Sequence, residues 1–148
     1  MWRITGNVIN GQGITRVGIQ KFLPRIPGVQ PVSQPVAFPV AGGYRALIDT
    51  GAQLTAITHK AIAETGLQRI GRRDIIGVNG PDSHAVYCFH IGFECEGASG
   101  PTYFQWEEPQ IAVDLPDNGI FDVIIGMNIL GQGDLRFSRD GTFSFEFG

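Results

Sequence analysis

The chain has only two cysteines, Cys88 and Cys95, among its 148 residues, too few for a disulfide framework. It also lacks a basic excess. Eleven Lys and Arg against 14 Asp and Glu give a formal charge of −3, which leaves no cationic footprint and excludes nucleic acid as an expected partner. No apolar run approaches a membrane-spanning length, and Met1-Trp2-Arg3-Ile4-Thr5-Gly6 lacks the apolar stretch of a secretion signal. No membrane association and a cytoplasmic location are therefore expected. Long stretches of helical periodicity are missing too, which argues against a helical bundle.

What the chain does have is glycine and proline, 21 and 9 residues, with 43% hydrophobic residues overall. That mixture predicts one compact, mainly β domain of short strands and frequent turns. Residues 2–9 and 14–22 read as two strands around the turn-rich Asn10-Gly11-Gln12-Gly13. Prolines at 24, 27, 31, 35 and 39 stiffen the following stretch and forbid a helix there. A helix is predicted over His59 to Thr65, with Thr58 as N-cap and Gly66 as its stop, and a shorter helical turn around Asn128 to Leu130. Strand alternation is clearest over 84–93, where Tyr87, Phe89, Ile91 and Phe93 share a face, and further strands are expected over 102–106, 110–113 and Thr142 to Phe147.

The most informative stretch is Ala46-Leu47-Ile48-Asp49-Thr50-Gly51-Ala52. A carboxylate closes an apolar strand and is followed at once by a hydroxyl and a glycine. An aspartic peptidase needs this local chemistry: Asp49 to share a proton with a second carboxylate and activate water, Thr50 to hold the loop, and Gly51 to permit close backbone approach. An ordinary Asp-initiated turn would use the same three letters, so the triplet needs support from elsewhere.

Support comes from residues 122–130, Asp-Val-Ile-Ile-Gly-Met-Asn-Ile-Leu, an apolar strand followed by a glycine and a helical turn. Together with Leu47-Ile48-Asp49-Thr50-Gly51-Ala52, this segment resembles the retropepsin family of single-domain aspartic proteases. Ile75-Ile76-Gly77-Val78-Asn79-Gly80 lies where that family has a glycine-rich flap, and Pro35 to Val40 with Gly42-Gly43 matches the strand before the active loop. The resemblance implies an acid-protease fold, a closed or partly open β-barrel with one or two short helices and a flap hairpin. It divides the chain into residues 1–28, an N-terminal extension expected as a β-hairpin arm, and residues 29–148, the protease domain.

One Asp-Thr-Gly supplies one catalytic carboxylate. Asp114, Asp117, Asp122 and Asp134 lack the Thr/Ser-Gly follow-on, and Asp140-Gly141 reads as a hairpin turn. The resemblance therefore implies a homodimer in which Asp49 meets its symmetry mate, acting on a polypeptide substrate without a cofactor. By motif position, Leu47, Ala52, Gln53 and Ile124 would line the cleft, with Val78, Asn79 and Gly80 on the flap. Gln53 and Met127 stand where relatives often carry an acid–arginine pair, and this departure leaves open a second reading: a catalytically weak or inactive dimeric binding module of the same fold. Chain termini interleave across the dimer in relatives, so Phe143, Phe145 and Phe147 could be buried either there or in the monomer's own sheet. His84, Cys88, His90 and Cys95 lie close in sequence, but Cys95 falls on the opposite strand parity and no C-x-x-C occurs, so no metal site is expected.

Overall fold

The computed structural model describes residues 2–22, 43–77, 79–97 and 100–148. The proline-rich connector, the strand expected over 35–40 and Val78 lie outside the described residues.

Eleven strands and two short helices make up the fold, which is mainly β. The strands are β1 (Trp2–Ile9), β2 (Gln12–Lys21), β3 (Tyr44–Ile48), β4 (Thr55–Thr58), β5 (Gln68–Gly77), β6 (Gly80–Gly97), β7 (Gly100–Gln105), β8 (Gln110–Leu115), β9 (Val123–Ile125), β10 (Gly133–Phe137) and β11 (Thr142–Phe147). The helices are α1 (His59–Thr65) and α2 (Met127–Leu130). All strands belong to one sheet, in the order β10-β11-β1-β2-β3-β9-β4-β8-β6-β5, with β7 alongside β6. Strand β2 also pairs with β6, so the run from β2 to β6 closes on itself while the outer strands extend beyond it. The result is partly closed and is not a regular barrel.

Local chemistry explains the elements. Asn10 and Gly11 both take positive φ, 52° and 78°, which a tight β1–β2 hairpin demands. Helix α1 starts where the Thr58 hydroxyl accepts from the Ala61 N–H and stops at Gly66, left-handed at φ 66°. Tyr44, at the start of β3, donates its hydroxyl to Glu64 of α1 at 2.9 Å; burial first, and then this bond, push its pKa well up. Asp140 accepts from both the backbone N–H and the hydroxyl of Thr142, which fixes the turn at Gly141 and lowers the Asp140 pKa.

The core lies inside the closed part and continues under the outer strands. Phe89, Ile91 and Phe93 of β6 are fully buried, and Tyr87 packs beside them half-buried. An aromatic group joins β6, the residue just after β7 and the C-terminus: Phe147 lies 5.0 Å from Trp106 and 5.7 Å from Phe93 between ring centroids. Strand β11 alternates buried and half-buried residues, with Phe143, Phe145 and Phe147 turned into this core. Both of its edges are occupied, by β10 and by β1, so the C-terminal aromatics belong to the chain's own sheet. Residues 2–21 lie within the same sheet and bring Ile4, Val17 and Ile19 to the core.

Candidate active site

Strand β9 comes from late in the chain and inserts between β3 and β4. It runs parallel to β3, with Leu47 beside Ile124 and Ile48 beside Ile125, and antiparallel to β4, with Ala56 opposite Ile124. This insertion is what fixes Asp49. Its backbone N–H donates to the Ile125 carbonyl at 3.1 Å, continuing the ladder one residue past β3. The Asp49 carbonyl accepts from the Ala52 N–H at 3.3 Å, and carboxylate oxygen Oδ1 accepts from the Gly51 N–H at 2.9 Å. Among the described residues Oδ2 has no hydrogen-bond partner. One oxygen is thus oriented by backbone and the other is left for chemistry. A Cβ on Gly51 would lie 3.2 Å from Oδ1, close enough to crowd the carboxylate. Thr50 is exposed, and its hydroxyl makes no hydrogen bond among the described residues.

The loop is braced from behind by polar groups that were not anticipated. The Asn128 side-chain oxygen accepts from both the N–H and the hydroxyl of Thr55, each at 2.9 Å. Thr55 Oγ1 in turn accepts from the Gly126 N–H at 3.1 Å, and Asn128 Nδ2 donates to the Ile111 carbonyl at 3.0 Å. The Met127 and Asn128 N–H groups donate to the carbonyls of Ala52 and Gln53 at 2.8 and 3.1 Å. Thr55 is fully buried, so each of these bonds satisfies a group that would otherwise be costly to desolvate. Gly126 is required at the crossing, since a Cβ there would lie 2.5 Å from the Leu54 carbonyl carbon and 2.8 Å from the Thr55 nitrogen. The available sequence signal was a lone Thr opening the buried β4 and an Asn two residues beyond Gly126. Where relatives often pair an acid with an arginine, Gln53 and Met127 are both exposed, and backbone hydrogen bonds join the two segments instead.

Leu47, Asp49 and Thr50 line a cavity of about 300 Å³ together with Gly11, Gln12, Ile48 and Phe137. The β1–β2 turn and Phe137 were not expected there. Other expected site residues are placed elsewhere. Ile124 packs against a small second cluster of Ala56, Val86 and Val113, and Ala52 and Gln53 serve the brace through their carbonyls. Asn79 and Gly80 sit at the turn of the β5–β6 hairpin, where Gly80 takes φ 97°.

No protein-family model and no curated protein matches the chain. Among solved structures it is similar to the crystal structure of a retropepsin-like aspartic protease from Rickettsia conorii, at a TM-score of 0.58 and 13% identity, covering 99% of this chain and 96% of that one. The fold is retropepsin-like. At this identity the likeness speaks for the arrangement of strands, and the chemistry must be argued from the residues themselves.

Several other titratable groups are held by partners of their own. Asp122 accepts the Arg45 N–H at 3.1 Å, and Asp117 accepts the Lys60 N–H at 2.9 Å. Asp114 lies between His59 Nε2, at 3.0 Å, and His84 Nδ1, at 3.1 Å, and also accepts the Ala85 N–H. Burial would raise the Asp114 pKa, but the hydrogen bonds and charges of the two histidines outweigh it and hold the pKa below the ordinary carboxylate value. Burial pushes Cys95 up to about 11 and raises Cys88 as well, so neither thiol is poised as a nucleophile. The structure does not gather His84, Cys88, His90 and Cys95: His84 faces Asp114, His90 stacks on Phe22, and Cys95 is buried. Among the described residues no group of three or more His, Cys, Asp or Glu is placed to hold a metal ion. No helix among them is long and apolar enough to cross a membrane.

Proposed function

We propose that this chain is an aspartic endopeptidase that acts as a homodimer, each copy supplying Asp49 to a shared pair of carboxyl groups. The observation that carries the reading is the fixing of Asp49 at the β3–β9 crossing, with Oδ1 tied to the Gly51 N–H and Oδ2 unpartnered among the described residues. Two such groups across a two-fold axis cannot both ionise. One remains an acid and the other a base, so the pair can deprotonate a water as it attacks a peptide carbonyl and return a proton to the leaving nitrogen. A second copy is needed because Asp114, Asp117 and Asp122 have structural work elsewhere and only Asp49 has this loop geometry. The exposed Thr50 hydroxyl supports the same reading, since it is free to bond across an interface.

The cavity beside Asp49 is walled by Leu47, Ile48 and Phe137, which suits an apolar side chain next to the bond cut. In this reading the β5–β6 hairpin, including Val78, Asn79 and Gly80, serves as the flap over an extended polypeptide.

The test is cleavage of an unbiased peptide library between about pH 3 and 7 by wild type and Asp49→Asn. Activity of the wild type should rise more than linearly with protein concentration, because a monomer holds half a site. The substitution should cost at least about a hundredfold in rate, with the melting temperature little changed. Equal cleavage by both proteins would defeat the enzyme reading. Silence from both, with a dimer present, would favour a binding module, the reading that the exposed Gln53 and Met127 leave available.

A further inference from the structure

The β5–β6 hairpin leaves the body of the fold at one point. Strand β6 pairs with β8 over Val86 to Phe89, and beyond Val86 the two part. From there β8 continues beside β4 to Leu115, while β6 runs with β5 toward the tip. The next backbone group of β6, the Ala85 N–H, donates to a side chain, Asp114 Oδ1, at 3.2 Å. The Asp114 carboxylate thus stands in for a missing rung of the ladder, and it does so between two imidazoles. His84 Nδ1 lies 3.1 Å from Oδ1 and 3.2 Å from the Asp114 carbonyl oxygen. His59 Nε2, at the start of α1, lies 3.0 Å from Oδ2.

Each of these ring nitrogens faces oxygen acceptors, so each must carry a hydrogen. The second ring nitrogen of His84, Nε2, faces another carboxylate, Asp82 Oδ2, at 3.6 Å. A neutral imidazole has a single N–H, and only the doubly protonated ring of His84 can answer oxygen on both sides. Among the other charged groups nearby, Arg73 of β5 sits opposite His84 in the hairpin register. The Lys60 ammonium pairs with Glu64 at 3.9 Å, and Asp117 is taken by the Lys60 N–H. Asp82 and Asp114 are therefore the carboxylates that protonated His84 would meet.

We propose that Asp114, His59 and His84 form a proton-operated clamp at the root of the hairpin. Protons taken up by the two imidazoles draw α1, β8 and β6 together, and their loss lets residues 80–85 move more freely on the body. Histidine is the side chain whose charge ordinarily changes between about pH 5 and 8. Over that range Asp114 stays ionised, because its partners hold its pKa below the ordinary carboxylate value. Protonation then turns each neutral donor into a cation beside an anion, the stronger form of the bond. The side chains of Asp114 and His84 are only 25% and 24% exposed, so water screens the pair in part. The clamp is tightest below the histidine range and above the lowered Asp114 value. It weakens above that window by loss of imidazolium and below it by loss of carboxylate. It concerns the hairpin's attachment and not Asp49, so it stands whether or not the chain cleaves peptides; under the protease reading, the hairpin it governs is the flap.

The test is amide hydrogen exchange of the full chain, followed by NMR at about pH 5 and pH 8 and corrected for the intrinsic pH dependence of exchange. Protection of the Ala85 amide is referred to that of Phe143 and Phe145 in β11, which cancels any global change in stability. The referred protection should be about fivefold or more greater at the lower pH in wild type. A double variant, His59→Gln with His84→Gln, can still donate hydrogen bonds but cannot take up a proton, and its ratio should be nearly level. Asp114→Asn should abolish the step as well. His59→Gln alone, at a side chain 56% exposed, should fold like wild type and show a smaller step. A wild-type ratio that does not change with pH would overturn the clamp. So would a full step surviving in His59→Gln or in the double variant.

Discussion

Asp49 and the β5–β6 hairpin are held by opposite means. Around Asp49, three strands from two distant stretches of chain are locked by Thr55, Asn128 and backbone bonds, with Gly126 at the tight crossing. Along β5, every residue except Ile75 is exposed, and Ile76 near the tip is 84% exposed. The hairpin is long and two-stranded, tied to the body at its base by β6 pairing with β8 and by the Asp114 cluster between His59 and His84. The contrast shows where this small domain concentrates its buried polar bonds. They lie behind the loop whose backbone must not move, while the hairpin, beyond its base and the packing of Ile75 on the Ala56, Val86 and Val113 cluster, is left with local pairing.

The sharpest way to break this contrast is Gly126→Ala. The new methyl group meets the Leu54 and Thr55 backbone and forces β9 away from β4. A loss on the order of 4 kcal/mol, or no folded protein, is expected in urea denaturation, because backbone cannot step aside as a side chain can. Asn128→Ala should come next. It strands the Thr55 N–H and hydroxyl and the Ile111 carbonyl, costing about 2 to 3 kcal/mol and lowering the melting temperature by roughly 10 °C.

Asp114→Asn probes the other region and should cost about 1 kcal/mol near pH 5 to 6. The folded Asp114 pKa is depressed, so its stabilisation is present above the ordinary carboxylate pKa and disappears as pH falls through the lowered folded value. Melting curves of wild type and variant should therefore converge as pH falls below the lowered folded value; a gap that stays constant with pH would show that the carboxylate charge is not what matters. Smallest in stability is Ile76→Ala, expected within about 0.5 kcal/mol of wild type given its exposure. Under the proposed function it should instead raise KM for a peptide several-fold, which calorimetry and kinetics together would separate.

Much of the fold was legible in order along the chain. Thr58 and Gly66 bracket α1, Asn10-Gly11 turns the first hairpin, and the alternation of Phe89, Ile91 and Phe93 marks the buried face of β6. The catalytic candidate was legible for the same reason, since Asp-Thr-Gly after an apolar strand is a contiguous signal. The brace was not. Thr55 and Asn128 are separated by 73 positions, and nothing local says that a Thr opening one strand will face an Asn after another. The place of β11 was also open, because alternating Phe residues suit an interface and a core equally well.

The sequence by itself determined the strand-rich class, the helix ends, the turns and the carboxylate–hydroxyl–glycine triplet, because each depends on φ/ψ preference or on chemistry within a few residues. Only the tertiary structure decided that β9 enters between β3 and β4, that Asn128 satisfies Thr55, that Phe137 and the first hairpin wall the Asp49 cavity, and that β10 keeps a free edge among the described residues. Those outcomes depend on which distant strands can bury apolar faces together while leaving no buried polar group unpaired, and that is a property of the whole sheet.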